Sequence, residues 1–497
     1  MNRAAVPLVM VLAASVLTGA AVLRGFEYDE AYSMFLTSGI ARPAWPTTVF
    51  AAGSIRHDFI AGASPVGIAR DLRTTDVHPP LYFWLLEAWR RVIGNGLVAA
   101  RMLSVLCALG ALLVVGAIAR LSRVPPAPAM VLTLGCYAFT YTGVVARGFA
   151  LAQLLSLSGV ALCLMTVRKD RAPVAFGAGL LLGAASFANY LAAFVGAAAL
   201  SWLGAVCPRR LWPAALTGFT VVIPADLWFF LAQRGSRQGQ FPPFHLLAGL
   251  VRLGRCIGGA TLGGLPLYVS PSSRSAATAL LCGVLAGLAV LVAMQWRCIG
   301  RATTRWLLLG CAVAPAAGLI ALGVVFDTTP IELRYLAFAT PFAGVLLAGA
   351  IGSLPRPASL LAGTVVGGLQ ALALVGLLTR PETMQPARAT AAAAAWVGGS
   401  AVVLLPQGND GVGLVGPFLA EAPDRLRVRV VGRDESVAGI RADAAGFRRT
   451  VIVLSGVDAD SRATVPLLRA AFTDPCWREA GVAFNVMAFD RICERSP

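Results

Sequence analysis

Eleven apolar stretches dominate this chain, at about 4–23, 97–119, 126–145, 150–167, 172–188, 190–206, 211–231, 276–295, 306–325, 335–353 and 358–379. Each is long enough, or nearly so, to cross the hydrocarbon core of a bilayer as a helix. Lipid offers no partner to a backbone N–H or C=O, so spanning segments of this kind must satisfy their own hydrogen bonds as helices. The constraint is severe: residues 1–380 are expected to form a polytopic helical bundle. The first stretch, Ala4–Leu23, follows Arg3 and carries no charge. Leu17-Thr18-Gly19-Ala20 is weakly compatible with signal cleavage, but the length and the many later spans favour a retained helix.

Composition supports the same class. Of 497 residues, 57% are hydrophobic and 13% charged, and the mean hydropathy is +0.74. Soluble domains carry about 25% charged residues, so a membrane protein is indicated. The net charge is +17, and Lys169 is the only lysine. A basic surplus in a polytopic chain is first explained by cytoplasmic loops. No basic run interleaved with aromatics marks a nucleic-acid surface. The arginine-for-lysine bias suggests a GC-rich bacterial genome. Five of the ten cysteines, Cys107, Cys136, Cys163, Cys282 and Cys311, fall in apolar segments, where they pack as small hydrophobes. No Cys-x-x-Cys or Cys/His cluster suggests zinc.

Threading the spans alternately from a cytoplasmic N-terminus makes every inside loop basic, as the positive-inside rule requires. These loops hold Arg120 and Arg123, then Arg168, Lys169 and Arg171, then Arg209 and Arg210, then Arg297, Arg301 and Arg305, then Arg356. Of the 11 acidic residues before Pro381, Asp170 alone maps inside. This predicts a bacterial inner-membrane protein whose C-terminal segment lies outside the cytoplasm. Residues 24–96 form the first extracytoplasmic loop, in which 79–93 read as an amphipathic interfacial helix with Trp84 and Trp89 at headgroup depth. The interval 232–275 reads as a long outer loop, suited to a lid.

Past Arg380 the composition changes. Residues 381–497 carry 13 of the 24 acidic residues, and their apolar runs are too short to span. Ala401–Pro406, Leu426–Val431, Thr450–Gly456 and Ala483–Phe489 read as strands, with helices at about 386–397 and 461–472. A small soluble α/β domain is expected. Cys476 and Cys493 are candidates for a disulfide in an oxidising compartment, though free thiols are equally compatible with the sequence.

The polar anomalies all map to the outer side. They are Asp29-Glu30, the stretch Asp76-Val77-His78-Pro79-Pro80-Leu81-Tyr82-Phe83, Arg147, Asn189-Tyr190 and Glu332-Leu333-Arg334-Tyr335. Glu27, Asp29 and Glu30 place three carboxylates beside a membrane span, where ionised groups are costly and usually functional. The order of these signals over residues 1–380 resembles the GT-C glycosyltransferases that use lipid-linked sugars, particularly the protein O-mannosyltransferase and aminoarabinose transferase superfamily. The acidic pair after the first span, the His-Pro-Pro-Leu-Tyr before the interfacial helix and the Arg-Tyr-Leu opening a late span carry that likeness. It implies a GT-C-like bundle, an inverting mechanism and Asp29 as the first-loop catalytic aspartate.

The residue chemistry is consistent with such a transfer. A carboxylate deprotonates an acceptor hydroxyl or amine. Arginine presents a permanently charged fork to the departing phosphate. Asp29 is the expected base and Glu30 its supporting carboxylate, with the reverse assignment open. Asp76, His78, Arg147, Tyr190, Arg334 and Tyr335 are expected to bind substrate, Arg334 chiefly the phosphate. Plain structural readings stand beside these: Asp76 in a helix-start turn, Arg334 snorkelling to headgroups, Asn189-Tyr190 as a hairpin tip. Expected partners are a polyprenyl-phosphate sugar donor, membrane lipids, and a glycan, lipid or protein acceptor. No metal or other cofactor is assigned, because no Asp-x-Asp pair recurs. A transporter or flippase of a lipid-linked precursor is the alternative, disfavoured by spans nearly free of central charge and by the lack of an internal repeat. A scaffold without catalysis is the third class.

Overall fold

A computed structural model describes residues 5–233, 243–327, 331–398, 400–408, 411–456 and 458–493. The chain divides into two compact units. One comprises Met1–Val22, Ala69–Leu86 and Val98–Arg380; the other comprises Leu23–Ile68, Glu87–Leu97 and Pro381–Pro497.

The first unit is helical, and each of the eleven apolar stretches forms helix. Among the described residues, six helices are long and apolar enough to span a membrane: Ala5–Leu23, Leu97–Leu121, Phe149–Lys169, Pro271–Met294, Ala302–Phe326 and Arg356–Thr379. A seventh candidate is the pair Leu211–Thr220 and Ile223–Ala232, bent by 41°. The remaining four, Pro126–Gly135, Ala172–Ala188, Ala192–Val206 and Thr340–Gly352, are shorter apolar helices. Where apolar effects cannot drive helices together, close backbone approach must, and small residues permit it. Gly218 shows this: a Cβ there would lie 2.1 Å from the Phe176 carbonyl oxygen, so helix Leu211–Thr220 lies directly on Ala172–Ala188. The interval expected as a long loop is largely helical over Leu246–Leu262, with 234–242 outside the described residues.

The second unit is built on a six-stranded sheet ordered β1-β3-β2-β4-β6-β5. The strands are β1 (Phe50–Ala51), β2 (Val402–Pro406), β3 (Arg427–Val431), β4 (Arg449–Val453), β5 (Trp477–Ala483) and β6 (Val486–Arg491). The parallel centre β3-β2-β4 is buried along nearly all its length, in keeping with the apolar run of β2 and the Val/Ile ends of β3 and β4. Two features depart from expectation. The first-loop strand β1 pairs antiparallel with β3, Phe50 opposite Val428. The expected strand Ala483–Phe489 is found three residues later as β6, and its first residues form the hairpin turn from β5, with Asn485 in the left-handed region (φ 53°). Cys476 and Cys493 form a disulfide that closes the open end of that hairpin.

Candidate functional site

In the first unit the site grows from a turn that cannot be helical. Pro79 and Pro80 hold the preceding residues extended, so helix Pro65–Thr75 stops and Leu81–Ile93 starts afresh. Asp76 sits in this break. Its Oδ1 accepts from the Val77 N–H at 2.6 Å and lies 2.9 Å from His78 Nδ1. Arg147 occupies a second break, between helices Tyr137–Val144 and Phe149–Lys169. Its Nη2 lies 2.9 Å from Asp76 Oδ2, 3.3 Å from Oδ1 and 3.2 Å from His78 Nδ1. The guanidinium carbon also sits 5.4 Å over the Phe83 ring.

Both Asp76 and Arg147 are buried. Burial by itself pushes the Asp76 carboxyl up. The Arg147 charge, His78 and the hydrogen bonds from His78 and Val77 overcome it and hold the group well below the usual carboxylate range. Asp76 is therefore ionised at neutral pH, and it fixes one edge of the Arg147 fork. Gly148 completes the seat: a Cβ there would lie 2.4 Å from the Ala188 carbonyl oxygen.

Gln233, a residue the sequence did not single out, links three of these segments. Fully buried at the end of helix Ile223–Ala232, it donates from Nε2 to the Leu72 carbonyl (3.0 Å) and the His78 carbonyl (2.8 Å). Its Oε1 accepts from the Tyr190 hydroxyl at 2.9 Å. The signal was present: an amide side chain ending an apolar helix must find partners once buried. Asn189 serves its own turn, accepting from the Leu191 N–H at 3.1 Å.

Arg334 and Tyr335 lie in the short 3-10 helix Leu333–Phe338. Arg334 pairs with Glu332 at 2.7 Å and its guanidinium carbon is 5.5 Å from the Tyr335 ring centre. Tyr335 in turn stacks on Phe149 at 6.3 Å, two residues beyond Arg147. Thus Asp76, His78, Arg147 and Tyr190 share one hydrogen-bonded network through Gln233, and Phe149 places Arg334-Tyr335 beside it. Neither arginine is an isolated cation, since each holds a carboxylate.

A further acidic residue went unnoticed. Asp226 is buried in the first turn after the bend in the seventh candidate span, where the Ser186 hydroxyl donates to its Oδ2.

Asp29 and Glu30 belong to the second unit, in the first turn of helix Tyr28–Ser38. Glu27 caps that helix, accepting from the Asp29 N–H at 2.6 Å, while Glu30 Oε2 reaches back to the Glu27 N–H at 2.9 Å. This is a capping box. Glu30 is buried in it, and Asp29 is half-buried. Acidic groups also suit the positive end of the helix dipole. Of the neighbouring carboxylates, the cap occupies Glu27 and Glu30.

These features define a polytopic membrane protein of the GT-C fold, with a C-terminal α/β sheet that recruits a strand from the first loop. The chain is similar to ArnT from Cupriavidus metallidurans bound to undecaprenyl phosphate, with a TM-score of 0.54, 12% identity and 98% of each chain covered. It is similar also to the apo state of that protein, with a TM-score of 0.53, 13% identity and 97% of each chain covered. No protein-family model matches the sequence, and no curated protein matches it.

Proposed function

We propose that the protein is an inverting glycosyltransferase that moves a sugar from a polyprenyl-phosphate donor to an acceptor outside the cytoplasm. The observation carrying this reading is the likeness, along nearly the whole chain, to a structure that holds undecaprenyl phosphate. In the proposed reaction Asp29 takes the proton of an acceptor hydroxyl or amine. The freed electron pair attacks the anomeric carbon, the bond from that carbon to the phosphate oxygen breaks, and the configuration inverts. The leaving polyprenyl phosphate takes the bonding pair, and Arg147 and Arg334 stabilise its charge. Asp76 and His78 orient Arg147; Tyr190 and Tyr335 contact substrate. The scheme calls on no metal or other cofactor.

The same reading places the protein in a bacterial inner membrane with the N-terminus cytoplasmic and residues 381–497 periplasmic. The disulfide between Cys476 and Cys493 supports that side. Acceptors within reach of such an enzyme are lipopolysaccharide or another glycolipid, a cell-wall glycan, or protein. Mass spectrometry of envelope glycans and glycolipids tests the reading. Cells lacking the protein should lose one species and accumulate its counterpart one sugar lighter; unchanged profiles for lipid, glycan and protein would refute it.

One observation favours a second reading, a transporter or flippase. A bent span with a buried carboxylate at its break is a feature of transport proteins. Asp226→Asn separates the two. A transporter should stop moving its lipid-linked cargo, whereas the transferase should retain its product.

A further inference from the structure

The second unit contains a clasp whose purpose the sequence did not reveal. Leu23–Phe26 leads directly into the Glu27 cap and Asp29. Two residues from the C-terminal domain grip its backbone. Glu421, at the end of helix Val415–Glu421, accepts the Phe26 N–H on Oε1 at 3.0 Å. Its Oε2 accepts from Arg388 Nε at 2.9 Å. Arg388, in the first turn of helix Ala387–Gly398, donates from Nη1 to the Leu23 carbonyl at 3.0 Å. One carboxylate and one guanidinium thus hold each other and both ends of the four-residue lead-in.

The surrounding contacts leave this segment little room. Gly25 has no space for a side chain, since a Cβ there would lie 2.9 Å from Arg388 Cβ and 3.3 Å from its backbone nitrogen. Arg24 is fully buried, donates to Gln385 Oε1 at 2.6 Å and reaches the Thr383 carbonyl. The Tyr28 ring packs against Gly413, where a Cβ would come within 2.1 Å of it. The helix that follows is held too: Gly416 packs on Phe35 and Ala31. A surface salt bridge alone contributes little to stability. Hydrogen bonds from charged groups to backbone, as here, are stronger and directional.

We infer that Arg388 and Glu421 are positioning residues for Asp29: the C-terminal domain sets where the acidic helix begins and thereby where its first-turn carboxylate points. The inference rests on the reading of Asp29 as the base. Transfer chemistry tolerates little displacement of a catalytic group, so loosening this lead-in should lower activity without unfolding the sheet.

The test uses the full-length protein in lipid nanodiscs, with hydrogen exchange followed by mass spectrometry, and the same variants in cells for the envelope product. Glu421→Ala should speed exchange of amides in 27–38 by about tenfold or more, leave strand Val402–Pro406 protected, and reduce the product. Arg388→Lys, which keeps a donor, should retain part of both the protection and the product. The decisive variant is the double exchange Glu421→Arg with Arg388→Glu. It preserves the ion pair but can neither accept from Phe26 nor donate to Leu23, so it should stay defective. Full recovery in the exchanged pair, or unchanged exchange in 27–38 for Glu421→Ala, overturns the inference. Asp29→Asn keeps the two readings separable. If it leaves the product intact, the assignment of the base has failed, while the exchange data still decide whether the clasp holds the helix.

Discussion

Asp29 was expected to act as the base and Asp76 to bind substrate, and the structure surrounds these two carboxylates in opposite ways. Asp76 lies buried against Arg147 and His78, its charge matched on the spot and its acidity strengthened. Asp29 is half-buried at a helix start where Glu27 and Glu30 already serve the cap. Identical side chains therefore take different work according to what surrounds them. A buried, paired carboxylate orients its partner and is a poor proton acceptor. Asp29, half-buried in the first turn of a capped helix, is the base in the proposed reaction.

The largest expected effect lies on Asp29. Asp29→Asn should reduce transfer by about 10²- to 10⁴-fold, the range for losing a general base, with thermal unfolding unchanged. Wild-type product levels in that variant would erase the functional half of the contrast. Next is Asp76→Ala, which leaves Arg147 buried without its carboxylate and should destabilise by about 3–5 kcal/mol. Adding Arg147→Met should recover much of that stability but none of the activity, as read by denaturation in detergent and by product analysis. The pH dependence follows from the lowered pKa of Asp76. Asp76 is ionised in the folded protein at pH values where the unfolded chain already binds a proton. Its stabilisation is thus fully present above about pH 4 and fades as pH falls further. The stability gap between wild type and Asp76→Asn should be flat from neutral pH down to about 5 and close below 4. A gap that instead closes near neutrality would deny the pairing.

A smaller change concerns the sheet. Opening the Cys476–Cys493 bond releases a loop of about 18 residues and should cost about 3 kcal/mol, measured by urea unfolding of Cys476→Ser with Cys493→Ser. Smallest is Glu30→Gln, which keeps an acceptor for the Glu27 N–H and should change stability by less than about 1 kcal/mol. Retained transfer in that variant would assign the base to Asp29. Loss of transfer with an intact fold would exchange the roles of the two residues.

Much of this was legible beforehand for identifiable reasons. Apolar runs leave a backbone in lipid no option but helix, so each of the eleven segments contains helix, although among the described residues only six helices and one bent pair reach spanning length and four are shorter. Strands β2, β3 and β4 are rich in Val, Ile and Leu, and they appear within a few residues of expectation. β5 escaped notice because it is an edge strand with Arg478 and Glu479 exposed, which leaves no alternation to read. β1 escaped because two residues carry no periodicity, and only β3 gives them a partner. The partners of Gln233 and of the Arg388–Glu421 clasp could not be read for a related reason: they lie far away along the chain.

By itself, then, the order of residues determined what each segment had to become. Hydropathy set the spans, branched side chains the central strands, and prolines the break around Asp76, because these depend on solvent and on neighbours within a few residues. Only the tertiary structure decided what each polar group would do. It matched Asp76 to Arg147, committed Glu30 to a cap, and tied the acidic helix to the C-terminal domain. A polar side chain is defined by the groups that hydrogen-bond or neutralise it, and folding brings those together from positions that sequence distance does not reveal.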